Sequence, residues 1–326
     1  MALPLVLLSH PLPPKWISAL QGRVRLIVGP PDAPGFAPHL LELLGEAEGI
    51  LCLLTDRVDQ ELLDQAPRLR VISNMAVGYD NIDVAACSRR RIPVGNTPGI
   101  LTDATADLAM TLLLASARKI FSASTDARNG LWTTWSPMGW LGADLKDATL
   151  GIVGMGKIGK ALADRARGFG LKLIYTDSRH QPDAGMRYGA EYRSLDELLA
   201  ESDFISLHCP LTEETRGMIN TAALKKMKPS AILINTARGP VVATDDLVQA
   251  LSEGWIRAAA LDVTDPEPLP EHHPLYDLPN CLVLPHVGSA TEGTRRLMAE
   301  MACENLLAGI EKKRLPNLVN PEIYKS

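Results

Sequence analysis

Several features of membrane, secreted and nucleic-acid-binding proteins are missing from this sequence. Its 326 residues contain no apolar run long enough to span a bilayer. The net charge of −5 is modest, and the basic residues form no stripe. Because nucleic acids and anionic membranes attract clustered lysine and arginine, we expect neither as a partner. The apolar start runs directly into Pro11, Pro13 and Pro14 and has no basic segment before it, which indicates a first β-strand rather than a signal peptide.

The cysteine and histidine patterns exclude further kinds of site. No C-x-x-C pair occurs, and the cysteines are odd in number and scattered, at Cys52, Cys87, Cys209, Cys281 and Cys303. Several of them lie inside apolar runs, so we expect buried, reduced thiols in a cytoplasmic protein. Apart from His286, the histidines show no spacing typical of metal ligands, and we expect no metal site.

The chain alternates throughout between short apolar runs and segments with helical spacing. With 326 residues, 46% of them hydrophobic, it is long enough for two domains. The alternation predicts parallel βαβ units, and hence an α/β protein with two doubly wound parallel sheets, the second domain inserted into the first. One long helix is predicted over Thr105–Asp126 and a last one over Thr291–Ile310. The predicted strands are Leu5–Leu8, Leu26–Val28, Ile50–Leu54, Val71–Met75, Pro93–Gly95, Thr149–Val153, Lys172–Thr176, Phe204–Leu207, Ala231–Ile234, Ala258–Val263 and Leu282–Leu284.

A glycine-rich turn follows the predicted strand Thr149–Val153, and the helix Lys160–Phe169 is expected directly after it. An isolated turn of this kind is often only structural, but a preceding strand and a following helix are typical of dinucleotide binding. The glycines then allow a tight turn, close approach to a pyrophosphate and close helix packing, while the helix N-terminus faces the phosphates. The residues predicted to bind the cofactor here are Gly154, Met155, Gly156, Lys157, Ile158 and Gly159.

The residues that end the next apolar run bear on the choice between NAD and NADP. An acid that accepts the ribose hydroxyls is expected about twenty residues beyond the glycines, and Asp177 stands at that point. A carboxylate there would repel a 2′-phosphate, which favours NAD(H). Arg179 and Ser178 could instead pair with that phosphate, so NADP(H) is the alternative. Read alone, Asp177 is also compatible with a solvated turn.

Three chemically distinct side chains each follow a separate apolar run in the last third of the chain. Arg238 can clamp a carboxylate and polarise a carbonyl, because a guanidinium is always charged and binds two oxygens at once. His286 can carry a proton near neutral pH, and Glu267 can orient its ring. Each residue alone has an ordinary interpretation as a surface or loop residue. Because ligands collect at the carboxyl ends of parallel strands, the three together indicate a dehydrogenase that reduces 2-oxo acids.

The first domain offers a second place for an anion, at the end of the predicted strand Val71–Met75. The sequence Asn74-Met75-Ala76-Val77-Gly78-Tyr79-Asp80 forms a turn there. Consecutive backbone N–H groups of such a turn can point at a carboxylate. An ordinary strand-to-helix turn is the alternative, and the spacing alone does not decide between them.

These motifs jointly resemble the D-2-hydroxyacid dehydrogenase family, over nearly the whole chain. The resemblance rests on VGYDNID, GILTDATAD, GIVGMGKIGKALADR, CPLTEETRGMI, LINTARGPVV, ALDVTDPEPLP and LPHVGSAT. Within the family, GILCLLTDRVD, RIPVGNTPGILTDATADLAMTLLL and NGLWTTWSPMGW look most like the glyoxylate/hydroxypyruvate reductase branch. Phosphite-oxidising relatives have a lysine where this chain has Val77 and lack the P-E-P segment, so that relationship is disfavoured.

The resemblance implies a division into domains. Residues 1–98 and 288–326 would form a flavodoxin-like substrate domain, and residues 99–287 a Rossmann NAD(P)-binding domain inserted into it. A dimerisation arm is implied around residues 120–145, which makes a homodimer the expected state. In such enzymes a tryptophan of the arm can close the partner's substrate pocket, so Trp135 is a candidate specificity residue.

The resemblance also assigns roles to individual residues. Arg238, Glu267 and His286 would be catalytic, and the N–H groups of Val77 and Gly78 would bind the substrate carboxylate, with Arg238 and Ser289 also contacting the substrate. Residues that would line the cofactor, besides the glycine-rich turn and 177–179, are Thr105, Cys209, Pro210, Thr215, Thr236, Ala237, Arg238, Asp262, His286 and Gly288.

The implied reaction is reduction of glyoxylate or hydroxypyruvate by NAD(P)H to the D-2-hydroxy acid, with His286 as the general acid. One alternative is a D-2-hydroxyacid dehydrogenase for a different 2-oxo acid. Another is a NAD(H)-sensing protein that binds the dinucleotide without turnover.

Overall fold

The chain divides into two units, each built on its own parallel sheet. A computed structural model describes residues 2–325. The first unit comprises the chain up to Leu101 together with the segment from Ala290 onward, and the second unit is Thr102–Ser289. The prediction of two doubly wound parallel-sheet α/β units is confirmed by the two sheets.

The first unit has a five-stranded parallel sheet of order β2-β1-β3-β4-β5, the flavodoxin-like order. Its central strands are buried along their whole length, which explains their nearly continuous apolar sequences. Two of its helices begin at aspartates, Asp59 and Asp83, whose side chains accept a hydrogen bond from the helix backbone. The strands are β1 (Leu5–Leu8), β2 (Arg25–Val28), β3 (Gly49–Cys52), β4 (Val71–Asn74) and β5 (Val94–Gly95), and the helices are α1 (Pro38–Leu41), α2 (Gln60–Gln65) and α3 (Val84–Arg89).

The second unit has a seven-stranded parallel sheet with apolar clusters on both faces. Its strands are β6 (Thr149–Val153), β7 (Lys172–Thr176), β8 (Glu191–Tyr192), β9 (Phe204–Leu207), β10 (Ile232–Asn235), β11 (Ala258–Leu261) and β12 (Cys281–Val283). The order β8-β7-β6-β9-β10-β11-β12 is that of a dinucleotide-binding sheet with one further strand. The helices are α4 (Thr102–Ala117), α5 (Ile120–Arg128), α6 (Lys157–Arg167), α7 (Pro182–Tyr188), α8 (Leu195–Glu201), α9 (Thr221–Leu224), α10 (Thr244–Ser252) and α11 (Pro274–Asp277).

The last long helix, α12 (Glu292–Ile310), returns to the first unit. It packs on β3 and β4, where the Ser73 hydroxyl donates to the Ala302 carbonyl at 2.8 Å in the buried core. Short 3-10 turns occupy Ser18–Leu20, Gly239–Val241 and Pro321–Tyr324. Within residues 2–325 no helix is both long and apolar enough to cross a membrane.

Two local predictions are wrong, and one strand was missed. The long helix Thr105–Asp126 is two helices, α4 and α5, because Lys119 adopts a left-handed conformation with φ of 49° and the Ala117 carbonyl accepts from Ala143 N at 2.7 Å. The helix expected from Lys160 already begins inside the glycine-rich turn, at Lys157. The two-residue edge strand β8 was not predicted, because its exposed residues form no apolar run.

Candidate active site

The carboxyl ends of five neighbouring strands in the second unit lie in register. Val153 pairs with Leu207, Leu207 with Asn235, Asn235 with Leu261, and Leu261 with Val283. The segments that follow these residues therefore leave the sheet at the same edge, where ligands bind in open α/β sheets. The predicted residues on these segments are Gly154, Cys209, Pro210, Thr236, Ala237, Arg238, Asp262, Glu267, His286 and Gly288.

His286 and Glu267 form a hydrogen-bonded pair at this edge. His286 Nδ1 lies 2.5 Å from Glu267 Oε1, and both side chains are partly buried. The other carboxylate oxygen accepts from Thr264 N at 3.4 Å, which ties the acid to its own loop. Among the described residues, His286 Nε2 has no hydrogen-bond partner. The pair therefore presents one ring nitrogen to a ligand and orients the ring through the other.

The backbone at His286 is held in an unusual conformation by Asp262. His286 has φ of 53°, a left-handed conformation that non-glycine residues seldom adopt. Its N–H donates to the Asp262 carbonyl at 2.9 Å, and the two Asp262 carboxylate oxygens accept from Val287 N at 2.7 Å and Gly288 N at 2.8 Å. Burial raises the pKa of Asp262, while these two N–H groups and His286 act in the opposite direction. Asp262 thus fixes the loop that carries the histidine.

Arg238 follows β10 in a turn that Asn235 organises. The buried Asn235 side chain donates to the Arg238 carbonyl at 2.9 Å and accepts from Ala237 N at 3.0 Å. The Arg238 side chain is partly buried, and Nη1 donates to the Ala237 carbonyl at 2.8 Å. Gly239 comes next, and a Cβ there would overlap the Thr264 carbonyl. Glycine therefore lets the arginine turn lie against the loop that carries Glu267.

The glycine-rich turn has the geometry that a dinucleotide requires. Gly154 has φ of +96°, and a Cβ there would lie 2.7 Å from Cys209 N, so glycine is needed. Gly156 caps α6, and a Cβ there would meet no atom within 4 Å, so the protein leaves open the space in front of this turn. Because an open helix N-terminus binds phosphate, these residues fit a dinucleotide cofactor. Lys157 and Ile158 lie in the first turn of α6, and Gly159 packs against the Gly154 carbonyl.

Asp177 lies at the end of β7, but its carboxylate is already engaged. Oδ2 accepts from Met155 N at 2.8 Å, and Oδ1 accepts from Arg179 N and the Ser178 hydroxyl at 3.3 and 3.2 Å. The acid therefore ties the glycine-rich turn to the neighbouring strand end.

Other predicted cofactor residues surround this edge. Thr105 donates to the Gly288 carbonyl at 3.3 Å, and Thr215 donates to the Pro210 carbonyl at 2.7 Å. Burial raises the pKa of the Cys209 thiol to about 11. The Thr236 hydroxyl is buried without a hydrogen-bond partner among the described residues, as expected of a group that bonds to a ligand.

The remaining predicted residues lie on other segments of the chain. Val77 and Gly78 follow β4 in the first unit, where both are partly buried. Ser289 is the last residue of the second unit, next to Gly288. Trp135 lies between α5 and β6 and is 79% exposed.

The sequence interpretation missed three residues that shape the site. Asn235 could have been found, because it is a polar residue that ends an otherwise apolar strand. Thr264 organises the Glu267 loop by donating to the Pro266 carbonyl at 2.8 Å. His208 follows β9, and Ser206 is 2.8 Å from its Nε2, while its Nδ1 is buried without a partner in the described part of the chain. Burial lowers the pKa of His208 to about 4.

Comparison with known proteins agrees with this geometry. A family model for the D-isomer specific 2-hydroxyacid dehydrogenase NAD binding domain matches residues 110–288. A glyoxylate reductase of Thermococcus litoralis is 52% identical over 291 residues, which cover 88% of each chain. The crystal structure of the TT0316 protein of Thermus thermophilus superimposes with a TM-score of 0.90 at 46% identity, covering 97% of this chain and 99% of that one. A glyoxylate reductase from Paecilomyes thermophila gives a TM-score of 0.86 at 34% identity, with 99% of both chains covered.

This chain belongs to the D-isomer-specific 2-hydroxyacid dehydrogenase family. It is therefore an NAD(P)-binding oxidoreductase, as the sequence predicts, and the likeness to glyoxylate reductases confirms the branch. Among residues 2–325 the dehydrogenase has no cluster of three or more histidine, cysteine, aspartate or glutamate side chains that could hold a metal ion.

Proposed function

We propose that this dehydrogenase reduces glyoxylate or hydroxypyruvate to the corresponding D-2-hydroxy acid. The observation that carries the proposal is the His286–Glu267 pair, which lies at the same sheet edge as the Arg238 turn and the glycine-rich turn. The choice of substrate rests on the 52% identity to a glyoxylate reductase.

In this mechanism each residue has a separate task. Arg238 clamps the substrate carboxylate and polarises the carbonyl, because its fixed charge stabilises the developing alkoxide. The nicotinamide cofactor, when bound, supplies the hydride that the carbonyl carbon receives. His286 Nε2 donates the proton to the carbonyl oxygen, so the carbonyl becomes a hydroxyl. Glu267 holds the ring and stabilises the imidazolium from which that proton leaves.

Backbone groups of the turn after β4 also have a role in this proposal. The N–H groups of Val77 and Gly78 bind the substrate carboxylate, and Ser289 contacts the substrate. Neutral N–H donors of this kind add hydrogen bonds to an anion without adding charge to the site.

We further propose that NAD(H) is the preferred cofactor, with NADP(H) as the alternative. The carboxylate of Asp177 is fixed at the end of β7 by Met155 N, and its negative charge disfavours a 2′-phosphate. Arg179, the residue that could offset this repulsion, is exposed and donates its backbone N–H to Asp177. Initial rates with NADH and with NADPH decide this point, and a higher kcat/KM with NADPH would contradict it.

We also propose a homodimer assembled through the arm, residues 120–145, with Trp135 reaching the partner's substrate pocket. The support is a run of exposed large apolar side chains, which monomers seldom expose together. They are Ile120, Phe121, Leu131, Trp132, Trp135, Met138 and Leu141. Light scattering should give the mass of two chains for the wild type and the mass of one chain for the double variant Leu131→Ser, Trp132→Ser.

The five unpaired cysteines support a reducing compartment, the cytoplasm.

The central experiment measures initial rates with glyoxylate, hydroxypyruvate, pyruvate and phenylpyruvate. Fast turnover of the first two is expected, and Arg238→Ala and His286→Ala should each lower kcat/KM by on the order of 10²-fold or more. Activity confined to the bulkier acids would overturn the substrate assignment. Cofactor binding without turnover of any of the four would support the NAD(H)-sensing alternative.

A further inference from the structure

Two asparagine side chains in the first unit hold the backbone of the turn after β4. Asn96 Nδ2 donates to the Val77 carbonyl at 2.8 Å, and Asn74 Nδ2 donates to the Gly78 carbonyl at 2.9 Å. In a trans peptide unit the N–H points opposite to the carbonyl that precedes it. Because these two carbonyls point towards the asparagines, the N–H groups of Gly78 and Tyr79 in the same peptide units point away from them.

The preceding peptide unit is held in the same way. The Ala76 carbonyl accepts from Thr97 N at 2.9 Å, so the Val77 N–H in that peptide unit points away from Thr97. In the described part of the chain, the N–H groups of Val77, Gly78 and Tyr79 have no acceptor. Consecutive free backbone N–H groups form a concave site for an anion. The donors that bind the carbonyls of this turn therefore leave its N–H groups available to a ligand.

The position of Asn96 is itself fixed by the carboxyl-terminal part of the chain. The fully buried Asn305 of α12 donates to the Asn96 carbonyl at 2.9 Å and accepts from Asn317 N at 3.0 Å. Asn96 N in turn donates to the Asn317 carbonyl at 3.2 Å. With its backbone bonded on both sides, Asn96 is held at the position from which its amide reaches the Val77 carbonyl.

Asn74 belongs to a second buried network. Its amide also donates to Asn81 Oδ1 at 3.2 Å, and Asn81 Nδ2 donates to the Leu53 and Asp56 carbonyls at 3.1 and 2.9 Å. Satisfied buried polar networks of this kind are rigid, because each lost bond leaves an unpaired polar group. The two asparagines thus connect the turn after β4 to two hydrogen-bonded networks of the first unit, and both networks restrict the backbone of the turn.

We propose that Asn96 and Asn74 are positioning residues for the substrate carboxylate. The inference rests on the proposed function, in which the N–H groups of Val77 and Gly78 bind that carboxylate. Neither asparagine touches the substrate. Asn96 holds the peptide unit that carries the Gly78 N–H, and Asn74 holds the next one, which carries the Tyr79 N–H, so that no carbonyl oxygen of these two units faces the anion.

This role predicts a specific kinetic signature. The substrate carboxylate does not change during the reaction, so the N–H groups bind ground state and transition state equally. Loss of such binding raises KM and leaves kcat unchanged. Asn96→Ala should raise the KM for glyoxylate about tenfold, with kcat and the KM for NADH within about twofold of the wild type.

The matched control is Asn280, whose amide in the second unit also donates to two backbone carbonyls, those of Leu251 and Arg257. Asn280→Ala should lower stability without changing the KM for glyoxylate. Asn96→Asp keeps the shape of the side chain but cannot donate to Val77, so it should raise KM at least as much as alanine. It also serves as the test if Asn96→Ala does not fold.

A second measurement does not depend on turnover. Oxalate is an anion without a reducible carbonyl, and its affinity is measured by fluorescence with NADH bound. Its Kd should rise about tenfold in the Asn96 variants and stay constant in Asn280→Ala. Wild-type protein that reduces none of the 2-oxo acids would overturn the proposed function. Wild-type turnover combined with an unchanged KM and oxalate Kd in both Asn96 variants would overturn only the positioning role.

Discussion

His286 Nδ1 lies 2.5 Å from Glu267 Oε1, so one edge of the imidazole ring is committed to the protein and the other is left for a ligand. The two residues are on different segments, one after β11 and one after β12. Their contact depends on parallel strands that end in register, since Leu261 and Val283 are paired. The sheet thereby brings together a proton carrier and the acid that orients it.

We expect Glu267→Gln to lower kcat by on the order of 10²-fold, because an amide orients the ring less well and does not stabilise the imidazolium. The Kd for NADH should stay unchanged, since the substitution leaves the glycine-rich turn intact. Steady-state kinetics with glyoxylate and a fluorescence titration with NADH measure the two quantities. Glu271→Gln is the control, because that side chain follows in the same loop but is 90% exposed. Equal kcat values for the two variants would contradict the orienting role.

Asp262→Asn should disturb the position of His286 through the backbone of its loop. The buried carboxylate accepts two backbone N–H groups, whereas an amide can accept one and must turn its NH₂ towards the other. The left-handed backbone of His286 then loses part of its support. We expect a loss of about 1–3 kcal/mol in the free energy of unfolding. We also expect kcat to fall at least about tenfold.

Urea denaturation and steady-state kinetics measure both effects of Asp262→Asn. Asp277→Asn, an exposed position on α11, should change neither. A variant that lost stability but kept wild-type kcat would mean that Asp262 supports the fold and not the position of His286.

Much of the site could be predicted because parallel strands are visible as apolar runs. A polar residue at or shortly after the end of such a run is expected at the ligand-binding edge, and this placed Arg238, Glu267, His286 and Asp177 there. What the sequence does not reveal is which groups these side chains bond to. Asp177 looks like a ribose ligand in sequence, yet it also accepts the N–H of Met155, a residue far from it along the chain.

The wrong prediction of a single long helix has the same origin in long-range contacts. The break between α4 and α5 contains no proline or glycine, and it depends on Ala143 bonding to the Ala117 carbonyl. Likewise, Asn96 and Asn305 are distant in sequence and meet only because α12 returns to the first unit. Helical periodicity carries no information about such contacts.

The buried His208 should make stability depend on pH. Burial lowers the pKa of His208 to about 4 from its usual 6.5. Between these two values the unfolded chain binds a proton that the folded chain does not, so the free energy of unfolding falls as the pH falls. One such group contributes at most about 1.4 kcal/mol per pH unit. His208→Gln should remove this contribution, whereas His272→Gln, at an exposed position, should not.

The measurement for His208 is a series of urea denaturation curves between pH 7 and pH 4. The wild type and His272→Gln should lose stability in parallel as the pH is lowered. His208→Gln should be less stable at pH 7 and show a shallower slope. Identical slopes in all three proteins would mean that the folded chain protonates His208 as readily as the unfolded chain does, which would contradict the lowered pKa.

The two glycines at the start of α6 should respond to alanine in different ways. A Cβ at Gly154 would lie 2.7 Å from Cys209 N and 2.8 Å from the His208 carbonyl carbon, at a φ of +96° that alanine rarely adopts. Gly154→Ala should therefore lower the free energy of unfolding by several kcal/mol, about the sum of a strained backbone and an overpacked core.

Gly156→Ala makes no contact within 4 Å in the protein, so it should keep the wild-type stability. If the pyrophosphate approaches this backbone, the new methyl group collides with it, and the Kd for NADH should rise at least about tenfold. Thermal denaturation without cofactor and a fluorescence titration with NADH separate the two variants. Unchanged NADH affinity in a stable Gly156→Ala protein would mean that the phosphates do not bind at the N-terminus of α6. This result would contradict the cofactor site proposed for this chain.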